Sequence, residues 1–563
     1  MVDGSTMPLH RSWTRLGAMW REGRTFPGLA IAAIVAFATV IGRRPDAFFA
    51  PQFSWEDGPN WYGEARNLGW RGLGRVYNGY LCVPQRLVGL ISQLVPMRAA
   101  PFLFAVCASI VQTAPALYLL SRRATAFHPS VKFRALLAFA WLFVPASNDT
   151  NANVAHMQWP LTMLAILIVA ANVPVTWRQC TFDVLAITAA GLASPIGLML
   201  VPIVALRFVF ERNRRILLWL LVAGATAATQ AYALLKWPDA RAHPRLGASF
   251  VGGARILFNR VVLSSMFGTR GAAMVAANWT SSATKLVALA AFGAWAAFAL
   301  RSVARPYLWV MLACGALSFA SIVRPGIAGG DATWFDLLTD PGAGDRYFFL
   351  TVFAILGLAL AAARVPSVVG RLSIAVAVAA ALIGIPVDAV ESPHRGERWA
   401  RSVSKFEAAP VGARVSMQAY PLIEVVLTKR RDDPQVPLRC TDGPPAPAKV
   451  VHADGPSVVG DLIDARRTGG IVELKAIGVR DTICDITIST GPDSIVPPQG
   501  IVLAWTNQDL QPFSGDHRRS AAVVNRSTLV FSVLDEPSRL RLELPVGSMV
   551  RLGTIVLRSR VHS

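Results

Sequence analysis

The sequence predicts an α-helical polytopic membrane protein followed by a β-rich C-terminal domain. Three observations lead to this fold class. Of the 563 residues, 53% are hydrophobic and 16% are charged, whereas a soluble protein carries about 25% charged residues. The hydrophobic residues are grouped in long blocks that suit the core of a bilayer. After residue 388, short alternating runs separated by turn clusters replace these blocks, and such runs are typical of β-strands.

Apolar blocks within residues 1–388 predict about eleven transmembrane helices. Several blocks are short for a hydrocarbon core about 30 Å thick. The stretch 79–96 contains Gln85 and Arg86 and is therefore predicted to be an interfacial or re-entrant helix. Residues 250–267 have the pattern of an amphipathic helix at the interface. The predicted crossings are roughly 26–42, 100–121, 133–146, 159–173, 181–193, 195–210, 215–236, 284–300, 306–323, 346–363 and 370–387.

Loop charges predict the orientation. The formal net charge is +21, and residues 1–388 hold 33 Lys and Arg against 15 Asp and Glu. The loops assigned to the cytosol are basic and contain a single acid, Glu211, in agreement with the positive-inside rule. With a cytosolic N-terminus and an odd number of crossings, the domain at 389–563 would lie on the outer face, and we expect a β-sandwich there. The basic excess favours lipid headgroups and phosphate ligands as partners, and no nucleic-acid-binding module is evident.

The six cysteines give one further hint about the compartment. Cys82, Cys107, Cys180 and Cys314 lie in or beside apolar segments and are interpreted as inert packing residues. Cys440 and Cys484 lie in the polar tail. If the tail is exported they are a plausible disulfide, and if it is cytosolic both are free thiols.

The acidic pair Glu56-Asp57 is the first candidate for chemistry. Eleven of the fifteen carboxylates in residues 1–388 fall in loops assigned to the outer face, and ionised carboxylates are costly near hydrocarbon. Gly58-Pro59 follows the pair and is predicted to start a helix. Asp57 is interpreted as a general base, with or without a divalent cation such as Mg²⁺ or Mn²⁺. The alternative is that Asp57 only caps this helix and Glu56 is solvated.

Two other loops carry candidate binding groups. His156 stands among amide and indole side chains that suit a sugar, although a hydrogen-bonded loop is the alternative. A second acidic cluster belongs to a Gly- and Pro-rich loop, where it would bind a cation or sugar hydroxyls or simply be solvated. The neighbours of His156 are Asn151, Asn153, Gln158 and Trp159, and the acids of the cluster are Asp331, Asp336, Asp340 and Asp345.

Four short motifs resemble those of polytopic glycosyltransferases of the GT-C superfamily. The acidic pair after the first membrane helix is one; the others are YNGYLCVPQR at 77–86, NANVAHMQW at 151–159 and GDRY at 344–347. The resemblance implies that Asp57 is the catalytic base and Glu56 its helper or a metal ligand. It also implies that Arg346 holds the carrier-lipid phosphate, although a helix-end arginine that snorkels to the interface is the alternative. Further candidate substrate-binding residues are Tyr347, Arg86, Tyr80, His156 and Glu64.

The resemblance implies a glycosyltransferase of the bacterial inner membrane with a periplasmic active site. It would move a sugar, with inversion, from a polyprenyl-phosphate donor to a hydroxyl of a cell-envelope glycan or lipid-linked saccharide. The β-rich tail would bind the acceptor or shape the cleft. Cys82 departs from the family pattern, in which many relatives have histidine, and this leaves His156 as the local imidazole. Two other functions stay open: a transporter or flippase for lipid-linked saccharides, and a non-catalytic envelope assembly factor.

Overall fold

The computed structural model is mostly helical, and the residues that it describes also form three sheets. It describes residues 26–237, 245–323, 333–339, 344–391, 393, 399–409, 411–420, 423–431 and 433. Beyond these it describes 494, 501 and the strands between 453 and 559. The predicted disulfide involves Cys440, which lies outside the described residues. Cys82, Cys107, Cys180 and Cys314 form no disulfide bond among the described residues.

The α-helices follow the apolar blocks of the sequence. Short 3₁₀ or π segments extend or link many of them, and those that matter for function are given below. The α-helices are Phe26–Arg43, Asp46–Phe49, Glu64–Leu68, Val83–Ile91, Ala100–Leu120, Val131–Leu142, Gln158–Ala170, Trp177–Ala193, Leu200–Glu211, Arg214–Lys236, Phe250–Leu257, Ser264–Asn278, Ser282–Ser302, Arg305–Val323, Trp334–Thr339, Phe349–Ala362, Val368–Ala379, Ile385–Asp388 and Trp399–Ala408.

Six helices among the described residues are long and apolar enough to cross a membrane. This finding supports a helical membrane protein, whereas the count of eleven crossings stays a prediction. Residues 250–278 form one of the six, so this helix runs beyond the amphipathic stretch expected at 250–267. The six are Met97–Leu120, Arg214–Lys236, Phe250–Asn278, Ser282–Ser302, Arg305–Val323 and Val368–Asp388.

Two shorter helices, Gln158–Ala170 and Phe349–Ala362, are almost completely buried. They contain 13 and 14 residues, which explains why the corresponding apolar blocks are short. Because the surrounding helices cover them on all sides, they are apolar around their whole circumference. By contrast, only 17% of the most apolar stretch of the helix Ser282–Ser302 is buried within the protein. The two short helices therefore form the centre of the helical part.

The chain folds into two compact units. The first contains Met1–Pro51, Leu68–Val95 and Ala99–Pro393. The second contains Gln52–Asn67, Pro96–Arg98 and His394–Ser563. Residues 52–67, which carry the acidic pair, thus belong to the same unit as the C-terminal tail.

The strands of the second unit form sheets of two, six and five strands in the described residues, all in antiparallel pairs. The two-stranded sheet pairs β1 (Arg414–Ala419) with β2 (Ile423–Thr428). The remaining strands are β3 Ala453–Asp454, β4 Val458–Val459, β5 Leu462–Ala465, β6 Gly470–Leu474, β7 Ile483–Thr490, β8 Val502–Thr506, β9 Arg518–Ser520, β10 Ala522–Asn525, β11 Thr528–Asp535, β12 Arg539–Leu544 and β13 Ser548–Ser559. The six-stranded sheet has the order β10-β11-β7-β13-β5-β4, and the five-stranded sheet has the order β3-β6-β12-β8-β9.

A kink at Gly268 exposes a backbone N–H group that makes a polar contact in the first unit. Gly268 has a φ of +68°, a left-handed conformation inside the helix Ser264–Asn278. Glycine adopts this conformation without a steric penalty. The kink leaves the following N–H, that of Thr269, outside the helical pattern, and it donates to the Asp388 carboxylate at 2.8 Å. A buried donor that would otherwise lack a partner is thereby satisfied.

Candidate functional site

The acid loop, residues 52–67 of the second unit, holds the first candidate residues. Glu56 and Asp57 end the 3₁₀ turn Trp55–Asp57, and the π-helical turn Gly58–Gly63 follows. Pro59 stands in the first turn of this segment, so the predicted helical start at Gly58-Pro59 is present. The predicted break in the chain is not, because Asp57 and Gly58 both have helical backbone angles and the 3₁₀ turn runs directly into the π-helical turn. Asp57 is buried with 3% of its surface exposed, whereas Glu56 and Glu64 are half-buried.

The helix-cap alternative for Asp57 does not match the geometry of the loop. Asp57 stands at the N-cap position of Gly58–Gly63, but its side chain makes no capping hydrogen bond to that segment. A capping aspartate accepts from the N–H two or three residues ahead. The burial of this carboxylate therefore has another cause than capping. Its neighbour Trp55 has a φ of +47°, and a strained bulky residue of this kind is frequent at functional sites.

The arginine turn, Asp345–Tyr347 of the first unit, holds the predicted phosphate ligand. Gly344, with a φ of +69°, precedes this 3₁₀ turn. Asp345 is fixed on both oxygens: Arg260 lies 3.1 Å from Oδ1, and the Thr269 hydroxyl donates to Oδ2 at 2.8 Å. Arg346 is half-buried, and its guanidinium carbon lies 4.9 Å from the centre of the Tyr347 ring.

A buried polar network continues from Thr269 to the end of the last helix of the first unit. One carboxylate oxygen of Asp388 accepts from the N–H groups of Ala146 and Thr269, both at 2.8 Å. The buried Arg43 guanidinium donates to the carbonyl of Asp388 at 3.1 Å and to that of Leu142 at 2.9 Å. Because buried polar groups are costly unless they are bonded, this network specifies one arrangement of the segments it joins.

A second branch of polar contacts holds the loop of the 151–159 motif. Arg44 pairs with Glu391 at 3.2 Å and with Asp46 at 3.0 Å. The Asn151 amide donates to Glu391 and accepts from Gln112. All of these side chains except Asp46 are buried. The loop that the sequence associates with sugar binding is thus held by charged and amide groups.

Three of the four sequence motifs meet in the first unit. The Gln85 amide, from the 77–86 motif, donates to Gln158 at 3.0 Å. Trp159 contacts Tyr347 of the arginine turn, with ring centres 5.7 Å apart. The central helices Gln158–Ala170 and Phe349–Ala362 begin at these contacts. The N-termini of two buried helices, which carry partial positive charge, therefore lie beside the arginine turn.

The other candidates of the first unit lie on the same motif segments. Arg86 is buried next to Gln85, and His156 is buried with its Nδ1 3.3 Å from the Asn153 amide. Tyr80 is half-buried and exchanges two backbone hydrogen bonds with Tyr77, at 2.8 and 3.1 Å.

The second acidic cluster divides into residues with different surroundings. Asp336 accepts from the Thr333 hydroxyl at 2.6 Å in the first turn of its own helix. Asp345 belongs to the buried network, and Asp331 and Asp340 lie outside the described residues. Within the part of the chain that the structure describes, no group of three or more His, Cys, Asp or Glu side chains is placed to hold a metal ion. Glu56 as a metal ligand stays a prediction.

Several residues of this region were not candidates in the sequence. Arg260 and Thr269 contact the arginine turn, Asp388 accepts from the backbone N–H of Thr269, and Gln85 joins two motifs. Each is a polar residue within or at the end of an otherwise apolar segment, which is the signal that could have identified them. Their pairing could not have been identified, because the partners are far apart in the chain.

Comparisons with known proteins return no match: no family model, no curated protein and no solved structure resembles this chain. The likeness to GT-C glycosyltransferases therefore rests on the four short motifs. Three of these motifs are in contact in the first unit, and the fourth lies in the second unit.

Proposed function

We propose that the protein is a membrane glycosyltransferase that takes a sugar from a polyprenyl-phosphate donor. The acceptor is a hydroxyl of a cell-envelope glycan or of a lipid-linked saccharide. The reaction takes place at the periplasmic face of the bacterial inner membrane, with the N-terminus in the cytosol. Arg346 binds the donor phosphate, and Asp57 is the general base.

The meeting of three motifs at the start of the central helices is the observation that carries the proposal. Helix N-termini and arginine side chains both favour a phosphate group. Arg346 precedes one buried helix, and Arg86 follows Gln85, which bonds to the first residue of the other. The aromatic rings of Trp159 and Tyr347 offer apolar faces of the kind that pack against sugars.

The reaction places different demands on the two charged groups. The acceptor hydroxyl must lose a proton as its oxygen attacks the anomeric carbon, and the Asp57 carboxylate takes that proton. The bond between the anomeric carbon and the phosphate oxygen then breaks, and the phosphate leaves as an anion. This leaving group needs fixed positive charge rather than a strong acid, and Arg346 supplies it with two parallel donors.

A transfer assay with Asp57→Asn tests the base. The full chain in lipid nanodiscs is given undecaprenyl-phosphate-linked hexoses with a labelled sugar and a saccharide fraction from bacterial envelopes. We expect the transfer rate to fall roughly 10²–10⁴-fold, while thermal unfolding remains that of the wild type. Glu424→Gln, which changes an exposed acid of the same unit, is the matched control. A wild-type rate in Asp57→Asn would refute the base and favour a transporter or an assembly factor.

A binding measurement tests the phosphate site separately. Undecaprenyl phosphate without sugar is titrated into the nanodiscs, and occupancy is read by native mass spectrometry. Arg346→Ala is expected to weaken binding at least tenfold, because a charge-assisted hydrogen bond contributes about 1.5–3 kcal/mol. Arg371→Ala, which removes an exposed arginine from the helix Val368–Ala379, serves as the control. Equal binding by both variants would remove Arg346 from the site.

A further inference from the structure

The acid loop is paired through its backbone with Tyr420, the residue that follows the tail strand β1. The N–H of Trp55 donates to the Tyr420 carbonyl at 2.6 Å, and the N–H of Tyr420 donates to the Phe53 carbonyl at 2.9 Å. These two bonds form a parallel bridge on either side of Ser54. The chain directly before Glu56 and Asp57 therefore continues the edge of the hairpin β1–β2.

The residue after Asp57 packs directly on the second strand of this hairpin. A Cβ atom at Gly58 would lie 2.6 Å from a Val425 methyl group and 3.1 Å from the Ala419 side chain. Real contacts of a Cβ atom are almost never shorter than 3.0 Å. Val425 is fully buried, so its methyl group has no free space to enter. Only glycine lets the acid loop approach the strand this closely.

An aromatic cluster fixes the same loop to the helix Trp399–Ala408. The Phe53 ring lies 4.6 Å from that of Trp399 and 4.9 Å from that of Tyr62. Trp399 is completely buried, and its indole N–H donates to the Met97 carbonyl at 2.8 Å. Burial raises the pKa of Tyr62 to about 12. The start and the middle of the acid loop are thus held by one helix and one hairpin of the tail.

The end of the acid loop is held by charge. The Arg66 guanidinium pairs with Asp433, and the carbonyl of Arg66 accepts from Arg430. Arg66 also lies over the ring of Phe406 at 5.3 Å. The Lys429 ammonium donates to the Phe406 carbonyl at 3.1 Å, near the C-terminal end of the helix, where positive charge is favourable.

We infer that the tail segment of helix Trp399–Ala408 and hairpin β1–β2 is the scaffold that positions the Asp57 carboxylate. Val425 and Gly58 are positioning residues. Their contact fixes the position of the backbone directly after Asp57, and neither residue touches the substrate. Among the described residues, this segment of the tail supplies the backbone, aromatic and charged contacts that hold the acid loop. The inference rests on the proposed function for its catalytic consequence, but not for the scaffold itself.

A size exchange between two residues tests the scaffold. Gly58→Ala adds a methyl group against Val425, and the double variant Gly58→Ala with Val425→Ala removes the closest of its contacts, that with the Val425 methyl group. Gly74→Ala, at a glycine whose added Cβ would have no atom within 4 Å, is the matched control. Hydrogen exchange measured by mass spectrometry reports on peptides that cover 52–67 and 414–428, and the transfer assay reports on kcat and KM.

We expect Gly58→Ala to accelerate exchange in both peptides at least tenfold and the double variant to restore protection. In the transfer assay, kcat should fall by about 10²-fold, because a misplacement of about 1 Å costs that much, while KM for the donor stays constant. Restoration in the double variant separates positioning from general damage. The scaffold is refuted if Gly58→Ala leaves exchange unchanged or if the double variant does not regain protection.

Exchange and activity distinguish the failure of the scaffold from that of the proposed function. If exchange responds as expected but no variant and no wild-type protein transfers sugar, the scaffold stands and the glycosyltransferase proposal falls. Should Gly58→Ala not fold, Asp433→Asn gives a second test, because it weakens the contact at the other end of the loop. Faster exchange in residues 64–67 of Asp433→Asn supports the scaffold, and unchanged exchange there refutes it.

Discussion

The part of the acid loop around Asp57 and the arginine turn are fixed by different physical means. In the acid loop, Gly58 lies against Val425, and the ring of Phe53 packs on that of Trp399. In the arginine turn, the Asp345 carboxylate is bound by Arg260 and Thr269. Packing fixes the position of a backbone, so it suits a loop whose carboxylate must stand at one place. Paired charges fix a charged turn and keep its electrostatic field constant, which suits the binding of an anion.

The difference predicts how each region fails. A packed contact is sensitive to the volume of a side chain and insensitive to salt and pH. A buried ion pair tolerates changes in volume better than the loss of one partner, because the remaining charge then lacks compensation. A substitution that changes side-chain volume should therefore destabilise the acid loop more than the arginine turn. A substitution that removes a charge should destabilise the arginine turn more than the acid loop.

Loss of the buried guanidinium at Arg260 has the largest expected effect. Arg260 is 1% exposed, so Arg260→Met leaves the Asp345 carboxylate in a buried place without its ion-pair partner. We expect the free energy of unfolding to fall by about 3–5 kcal/mol, measured by denaturant titration in mixed micelles. Arg255→Met, an exposed arginine in the same helical segment, is the control. If both variants lose equal stability, charge pairing does not hold the arginine turn.

A smaller loss of stability is expected when the side chain of Val425 is shortened. Val425→Ala removes two methyl groups from a completely buried position, which lowers the free energy of unfolding by about 2 kcal/mol. The neighbouring Val426 points to the other face of the strand and is 36% exposed. Val426→Ala is therefore the control, and its cost should be below about 0.5 kcal/mol. A cost for Val425→Ala as small as that of the control would contradict the packed interface.

The local features of the fold could be predicted from the sequence, whereas its long-range pairs could not. The helical turn that begins at Gly58-Pro59, the apolar blocks and the alternating strands each depend on a few neighbouring residues, and the structure contains all of them. The joint between Asp388 and Thr269 links residues 119 positions apart, and that between Arg66 and Asp433 links residues 367 positions apart. Such pairs depend on how the segments pack, which periodicity does not encode.

The residues of the candidate site likewise divide into those that the sequence could identify and those that it could not. Burial of Asp57 and the contact between the 151–159 and 344–347 motifs involve residues that the sequence had singled out. Of the residues that hold them, Arg260 had only the weak signal of a polar residue in an apolar segment, and Val425 had none. An arginine near an apolar helix end usually snorkels to the interface, and an apolar residue in a strand is usually ordinary core. Only a partner in space distinguishes these residues from their many equivalents.

The ion pair between Arg66 of the acid loop and Asp433 gives the smallest effect and a dependence on pH. Burial alone would raise the pKa of Asp433, but the Arg66 guanidinium and the Arg430 N–H outweigh it, and the pKa lies below its usual value of 3.8. A carboxyl group with a lowered pKa stabilises the fold fully above pH 3.8. This contribution is lost as the pH falls further through the folded-state pKa.

Asp433→Asn should therefore reduce stability at pH 7 by about 1 kcal/mol or less, and the difference from the wild type should disappear as the pH falls below 3.8. Thermal unfolding at several pH values measures it, and Glu424→Gln should show no such convergence. A difference that persists at the lowest pH would mean that Asp433 acts through its shape rather than its charge. The acid loop would then be held by packing along its entire length, and the contrast with the arginine turn would be complete.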